Sequence, residues 1–184
     1  MKKILVIAAI FGLFSCSYKD QRIALDLSYD SEKSNIGQGN KIAVKVLDER
    51  LQKNFIGSKE YCDHQKILIK NEQNLAEILK QELDLQLARK GFVAGNDKLL
   101  ELRIERLEYK ASCKYLVGKS EANILVKATI TNNKTGLRTN RSFEVSQDGK
   151  HFLVPLASTV EDSINNILQD SVKEILGDDS LLKN

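Results

Sequence analysis

The segment on which the architecture depends is LLELRIERLEYK at residues 99–110, followed by SEANILVKATI at residues 120–130. In both segments apolar residues alternate with charged or polar ones, which is typical of β-strands that bury one face. The alternation in the first segment changes phase after Ile104. A one-residue bulge near Glu105–Arg106 would keep the later apolar residues on the buried face. We therefore predict two long strands, with a bulge in the first.

Further strands are predicted on both sides of this pair. After a turn rich in Asn at residues 132–136, the chain returns as a strand at residues 139–146. Alternating patterns predict three shorter strands, at residues 22–27, 41–47 and 66–70. Residues 51–65 are mostly polar and contain Gly57, so we predict a long loop there.

Two helices are predicted, at residues 72–90 and 159–176. The first has a leucine every four residues and therefore a single apolar stripe, with Asn71 as the predicted N-cap and Gly91 as the closing residue. The second has a stripe of Val, Ile and Leu residues, and the spacing of Ser158 and Glu161 predicts a capping box. Each helix therefore has one face to bury.

Strands and helices that are each apolar on one side indicate an α+β fold. The arrangement that buries these faces with the fewest layers is a two-layer sandwich, in which a mixed, mostly antiparallel sheet has two helices packed on one face. If strands 41–47 and 99–110 are parallel neighbours, the first helix forms the crossover between them. We predict a single α+β domain over residues 22–184, because about 160 residues is the usual length of one domain.

The amino terminus has the pattern of a bacterial export signal. Two lysines precede a short apolar run and a serine, and the run is too short to span a bilayer. The residues around Cys16 resemble a lipobox, in which the chain is cut before the cysteine and the cysteine receives acyl chains such as palmitate. We predict a signal peptide at residues 1–15 and a lipidated Cys16 in a tether over residues 16–21. The alternative is an ordinary signal peptide with a chance cysteine near its end.

The residue after the cysteine predicts the location. In enteric-type lipoproteins, which this motif resembles, Asp at that place retains the protein at the inner membrane. Ser17 occupies it here. We therefore predict a lipid-anchored protein of the cell envelope at the periplasmic face of the outer membrane.

Charge restricts the classes of partner. Removal of the signal peptide lowers the Lys+Arg count from 28 to 26 against 25 Asp+Glu, which leaves a net charge of +1 on the mature chain. A chain with so little net charge lacks the basic patch that nucleic-acid binding requires. We expect contact with the membrane through the lipid and with a protein partner of the envelope, and no contact with nucleic acid. The sequence does not specify the oligomeric state.

Two cysteines remain in the mature chain, Cys62 and Cys113. Because an exported protein folds in an oxidising compartment, we predict a disulfide between them. One alternative is two unpaired thiols that are not neighbours. The other is a metal site in which Cys62 and His64 are joined by Cys113 or His151. Structural zinc sites usually have paired ligands in both halves, and the second half offers only single residues here. We therefore predict no metal site.

No residue pattern indicates catalysis. The GxSxG nucleophile motif is absent, and neither His64 nor His151 lies in a recognisable motif. Glu101, Glu105 and Glu108 lie among arginines as on a solvated strand face. We therefore predict a protein that is not an enzyme, with no catalytic residue and no cofactor.

Several segments together resemble the YajG family of small bacterial lipoproteins. The lipobox is followed by an early short strand, by VKVLDER at residues 44–50 with Ile56-Gly57, and by LARKGF at residues 87–92. Leu99 to Tyr109 is similar to the family's long strand, and Asn166 to Ser180 is similar to its closing helix. The resemblance implies an anchored α+β scaffold, and it singles out Asp48, Arg50 and Gly57.

These three residues allow two interpretations. Asp48 and Arg50 can pair to hold the loop after a strand while Gly57 supplies a tight turn, or the three can form a recognition loop for an envelope partner. We expect the protein to act as a binding or accessory lipoprotein of the envelope. One alternative is an auxiliary lipoprotein of lipopolysaccharide assembly or lipid transport. The other is an enzyme that acts on cell-wall glycan.

Overall fold

The structure is a computed structural model that describes residues 20–28 and 33–182. The predicted signal peptide at residues 1–15 and Cys16 lie outside the described residues. The strands are β1 (Gln21–Arg22), β2 (Lys41–Asp48), β3 (Phe55–Glu60), β4 (Lys66–Lys70), β5 (Val93–Ala94), β6 (Lys98–Lys114), β7 (Val117–Asn132) and β8 (Arg138–Phe152). The helices are α1 (Leu75–Arg89), α2 (Ala157–Gly177) and the short α3 (Asp179–Leu182).

The long strand β6 organises the sheet. β7 pairs antiparallel with β6 along its whole length, and β8 pairs antiparallel with β7. The other edge of β6 has two successive parallel partners, because β2 pairs with residues 98–104 and β3 pairs with residues 109–112. β4 pairs antiparallel with β3, while β1 and β5 add parallel to β4 and β2. The sheet is therefore mixed, and its longest ladders are antiparallel.

The predicted bulge in β6 is present. The register of β6 against β7 shifts between Ile104 and Arg106. The shift returns Leu107 and Tyr109 to the side of Ile104, and all three side chains are buried. The connection between β2 and β3 lies beside the bulge, where the backbone N–H of Glu49 donates to the carbonyl of Ile104 over 3.0 Å.

Both main helices pack on one face of the sheet, so the predicted α+β architecture is confirmed. α1 lies over β2, and α2 lies over β7 and β8. Their apolar stripes and the inward residues of the strands form one continuous core. The helices contribute Leu75, Leu79, Leu83, Leu87, Val160, Ile164, Leu168 and Val172, and the central strands contribute Leu100, Leu102, Ile104, Ile124, Val126 and Ile130. Burial of these apolar side chains is the main source of stability.

Two strand predictions are wrong in part. Residues 51–65 contain β3 in place of an uninterrupted loop. The sequence does not show the apolar–polar alternation of a strand there, because one of the buried residues of β3 is the charged Lys59 beside the apolar Ile56. The strand predicted at residues 22–27 ends at Arg22. Ile23, Leu25 and Leu27 follow it and bury their side chains in the core without forming a ladder.

The helix starts also differ from the predictions. Asn74 caps α1 in place of Asn71, because its side chain accepts a hydrogen bond from the backbone N–H of Glu77 over 3.3 Å. α2 begins at Ala157 after Leu156, which makes no side-chain cap. The capping box predicted at Ser158 and Glu161 is therefore wrong, since Ser158 lies inside the helix.

Candidate functional site

The face of the sheet that points away from the helices, here called the open face, is covered by charged side chains. Ion pairs across the strands join Lys45 Nζ to Glu101 Oε2 over 3.0 Å and Lys127 Nζ to Glu105 Oε1 over 2.6 Å. Hydrogen bonds from Lys45 and then Arg103 hold the pKa of the Glu101 carboxyl below its usual range. The middle of the open face is therefore covered by paired charges.

One end of the open face forms a recess of about 820 Å³. Five neighbouring strands contribute to it, namely β4, β3, β6, β7 and β8. Its charged and hydroxyl-bearing lining residues are Ser58, Glu60, Lys66, Lys110, Ser112, Lys119, Ser120, Glu121, Asp148 and Lys150. A concave surface of this size with convergent polar groups is the usual form of a binding site.

Between β7 and β8 the charges in the recess are arranged as like pairs, whereas Lys110 of β6 lies opposite Glu121 of β7. Lys119 of β7 lies directly opposite Lys150 of β8, and one step further along Glu121 lies opposite Asp148. Like charges directly opposite each other on neighbouring strands are destabilising. A ligand that presents an anionic group to the two lysines, or a cationic group to the two carboxylates, would relieve this repulsion.

The Asp48–Arg50 pair that the sequence predicts is present at the end of β2. Arg50 Nε donates to Asp48 Oδ1 over 2.9 Å, and Arg50 Nη2 donates to Asp48 Oδ2 over 2.8 Å, between two buried side chains. The same guanidinium donates to the carbonyls of Lys53 over 2.7 Å and Phe55 over 3.2 Å. Arg50 therefore holds the connection from β2 to β3. Its role in partner binding stays a prediction.

We expect Arg50→Lys to lower the free energy of unfolding by about 2 kcal/mol. Lysine keeps the charge, but it cannot make the two hydrogen bonds to the Asp48 carboxylate together with the two hydrogen bonds to backbone carbonyls. Arg103→Lys is the matched control. Arg103 pairs with Glu49 and Glu101 and is itself half-exposed, and ion pairs that are open to solvent contribute less than about 1 kcal/mol. Urea denaturation of both variants measures the difference. Equal losses would show that the buried pair contributes nothing special to stability.

Gly57 lies inside β3, so the expected tight turn is wrong. A Cβ at this position would lie 1.8 Å from the carbonyl oxygen of Tyr109 in β6. The register of β3 against β4 also shifts between Phe55 and Gly57. Glycine inside a strand marks a place where another backbone approaches closely. Gly57 therefore permits the pairing of β3 with β6.

Cys62 and Cys113 form the predicted disulfide, with their Cα atoms 4.7 Å apart. His64 Nδ1 lies 3.0 Å from Glu60 Oε1, and His151 Nε2 is hydrogen-bonded to Ser120 Oγ over 2.7 Å. The alternative metal site therefore fails, because its thiols are bonded to each other and its histidines have separate partners. Within residues 20–28 and 33–182, no three His, Cys, Asp or Glu side chains are grouped so as to hold a metal ion.

The contact between Ser120 and His151 places a hydroxyl beside an imidazole, as in serine nucleophile sites. Ser120 is buried. A Cβ at Gly149 would lie 2.6 Å from both Ser120 Oγ and His151 Nε2, so the backbone of β8 covers the pair closely. The hydrogen bond connects β7 to β8.

A family model described as "Uncharacterized lipoprotein", Lipoprotein_16, matches residues 28–183, which is nearly all of the domain. The chain belongs to this lipoprotein family. Membership implies that the lipoprotein is anchored in the cell envelope through lipid. No helix in the described part of the lipoprotein is long and apolar enough to cross a membrane.

Solved structures resemble the fold of the lipoprotein at low sequence identity. Protein XCC0632 from Xanthomonas campestris, of family DUF330, superposes with a TM-score of 0.60 and 12% identity, over 85% of this chain and 91% of that chain. An uncharacterized protein superposes with a TM-score of 0.52 and 14% identity, over 86% of this chain and 99% of that chain. Lipoprotein GNA1162 from Neisseria meningitidis superposes with a TM-score of 0.35 and 12% identity, over 76% of this chain and 99% of that chain. No curated protein matches the chain in sequence.

Sequence reasoning does not identify the recess of the lipoprotein. Lys119 and Lys150 lie in separate segments, and neither stands out from the many other lysines. Only the register of β7 against β8 brings them together. Counting outward from the predicted turn at residues 132–136 would pair Lys119 with Gly149, because in the structure the turn is closed by Asn132 and Leu137.

Proposed function

We propose that the lipoprotein is a YajG-like protein, anchored through acyl chains on Cys16 at the periplasmic face of the outer membrane. It acts without catalysis, by binding an envelope partner in the recess of the open face. The lipobox and the family support the anchor, and Ser17 supports the outer membrane. The partner presents acidic groups to the recess.

The observation on which the binding proposal depends is the Lys119–Lys150 pair in the recess. Elsewhere on the open face, lysines and carboxylates lie within 3.0 Å of each other in opposite-sign pairs, such as Lys45–Glu101 and Lys127–Glu105. Charge complementarity across an interface contributes specificity and fast association. Two lysines held side by side on a rigid sheet are suited to an acidic side chain or another anionic group of the partner.

A specific observation favours one alternative, an enzyme acting on cell-wall glycan. Glycan hydrolysis uses two carboxylates that flank the scissile bond, and Glu121 and Asp148 lie opposite each other in the recess. The auxiliary role in lipid transport has no comparable support. The recess is lined by charged groups on an open sheet surface, whereas a lipid carrier needs an apolar enclosure.

The test places a photo-crosslinking amino acid at Ser112, which lines the recess opposite Lys119. Irradiation of intact cells is expected to produce one protein adduct of defined mass. Lys119→Glu combined with Lys150→Glu should decrease that adduct at least about tenfold, because like-charge contacts cost several kcal/mol and about 1.4 kcal/mol corresponds to tenfold in affinity. Mass spectrometry of the adduct identifies the partner.

Lys80→Glu combined with Lys173→Glu is the matched control, since it changes the net charge equally at exposed helix positions. The control should leave the adduct unchanged. Equal losses in both double variants, or no adduct from Ser112, would contradict the proposal. Incubation with purified peptidoglycan tests the enzyme. If the wild-type protein releases soluble fragments and the double variant Glu121→Gln with Asp148→Asn releases none, the protein is an enzyme and the binding proposal is wrong.

A further inference from the structure

Six of the eleven large apolar side chains that are exposed in the described part of the chain lie at one end of the sheet. They occupy the turn between β6 and β7, the first residue of β7, the last residue of β8 and the segment after β8. We call this surface the apolar rim, formed by Tyr115, Leu116, Val117, Phe152, Leu153 and Leu156. Tyr115 is 87% exposed, Phe152 80% and Leu156 73%. A run of exposed apolar residues in turns is unfavourable in a soluble domain unless it has a function.

The rim residues are also unfavourable for the backbone that they occupy. Tyr115 and Leu116 have φ values of 52° and 64° in a two-residue hairpin turn, and Leu153 has a φ of 63°. Such turns favour Asn-Gly, because a side chain at positive φ costs free energy. The chain has Tyr and Leu where Asn and Gly would stabilise the fold better. These side chains therefore need an explanation beyond folding.

Lysines lie directly behind the rim. Lys114 precedes the turn, and its Nζ lies 5.3 Å from the centre of the Tyr115 ring. Val117 lies opposite Phe152 at the rim, and two residues further from the end Lys119 lies opposite Lys150. Exposed apolar side chains with Lys114 beside them match a membrane interface, in which the acyl region lies below anionic phosphates.

The chain enters the domain from the same end of the sheet. β6 runs toward the rim, β3 is parallel to β6, β4 is antiparallel to β3 and β1 is parallel to β4. β1 therefore runs away from the rim, and Asp20, the first described residue, lies on the rim side of Gln21. Gln21 Nε2 also donates to the carbonyl of Ala157, the residue after Leu156, over 3.4 Å.

The length of the tether limits how far the bilayer can lie from the rim. Gln21 is level with Ile69, which is level with Gly57 and then Tyr109, six residues before the turn at Tyr115. Six strand residues span about 20 Å. The five residue steps from Gln21 back to Cys16 reach about 18 Å at full extension. An acyl group on Cys16 can therefore reach the level of the rim but not far beyond it.

We infer that the apolar rim docks into the anionic phospholipid surface of the bilayer in which the lipoprotein is anchored, with Lys114 at the phosphates. The inference rests on the acyl anchor of the proposed function, because that anchor puts the rim end against the membrane. The rim then acts as a second, weaker membrane contact. It orients the sheet so that the opposite end, at Leu137, points into the periplasm.

The test uses the lipidated mature protein in vesicles of phosphatidylethanolamine and phosphatidylglycerol. With Cys16 acylated and Cys62 bonded to Cys113, a cysteine introduced by Phe152→Cys is the only free thiol and accepts an environment-sensitive fluorophore. Leu137→Cys is the matched control, since Leu137 is an exposed apolar residue at the other end of β8. We expect emission from position 152 to shift to the blue and to be quenched several-fold more by nitroxide-bearing lipids than emission from position 137.

Vesicle flotation reports the anchor separately from the rim. Protein that floats with the vesicles while both labels are quenched equally would refute the inference and leave the anchor intact. Protein that does not float would refute both. A label at position 152 that is shielded in native envelopes but stays in water on pure lipid vesicles would show that a protein covers the rim, and would also overturn the inference. Lys114→Glu should reduce quenching at position 152.

Discussion

Replacing Cys16 with alanine is expected to move the lipoprotein from the membrane fraction to the soluble periplasm. Each buried methylene of an acyl chain contributes about 0.8 kcal/mol to membrane binding, so that several chains make release negligible. The variant retains only the apolar rim, whose contact with the membrane is weak and reversible. Fractionation of cells followed by immunoblotting measures the release, and mass spectrometry of the wild-type mature chain measures the acyl groups on Cys16.

The double variant Cys62→Ala with Cys113→Ala is the matched control, because it removes two cysteines and leaves Cys16 unchanged. We expect it to stay in the membrane fraction. A Cys16→Ala variant that remains bound after a high-salt wash would show that something other than the lipid is the anchor. A wild-type chain with an unmodified thiol at Cys16 would contradict the lipid anchor directly.

Reduction of the disulfide is expected to lower the free energy of unfolding by about 4 kcal/mol. The bond joins residues separated by 51 positions, and the chain-entropy model gives this value because a closed loop of about fifty residues restricts the unfolded chain. The bond also joins the connection between β3 and β4 to the end of strand β6, beside the rim. Guanidinium denaturation of the wild-type protein, with and without a reducing agent, measures the loss.

The variant Cys62→Ala with Cys113→Ala controls for other effects of the reducing agent. Its unfolding midpoint should be insensitive to reduction and should lie close to that of the reduced wild type. Cys113 is buried, so that its replacement by alanine adds a small packing loss of its own. An unchanged wild-type midpoint after complete reduction would mean that the bond does not stabilise the domain.

The long regular segments of this lipoprotein could be predicted because each shows its period over several repeats. Alternation over residues 120–130 indicated β7, and leucines four residues apart indicated α1. The phase change after Ile104 located the bulge, since a bulge alone keeps the later apolar residues on the core side of a strand. Local pattern and tertiary packing agree in these elements.

β3 could not be predicted, because its buried residues are unusual for a strand core. Lys59 is buried, its Nζ donates to the carbonyl of Pro155 over 3.3 Å, and burial lowers its pKa. Gly57 is buried against the backbone of β6. A reading by hydrophobicity assigns both residues to the surface. Their burial depends on contacts with β6 and with the segment after β8, which no local pattern contains.

The candidate site depends on register in the same way. Lys119 and Lys150 are ordinary strand lysines until the hairpin places them opposite each other. Tyr115 and Leu116 read as part of an unremarkable turn until their positive φ values and their exposure are known. The sequence nevertheless carried one signal for the rim, namely the apolar residues at 115–117 and 152–156, where turns are usually polar.

The direction of β1 has a mechanical consequence for an anchored domain. β1 lies parallel to β4, where Gln21 and Arg22 pair with Ile69 and Lys70 along one line, and the backbone N–H of Ile23 donates to the carbonyl of Lys70. When a partner pulls the domain away from the membrane, tension on the tether runs along this line. All of these hydrogen bonds are then loaded at once in shear, and none is peeled open before the next. The short first strand can therefore transmit traction from the lipid to the sheet.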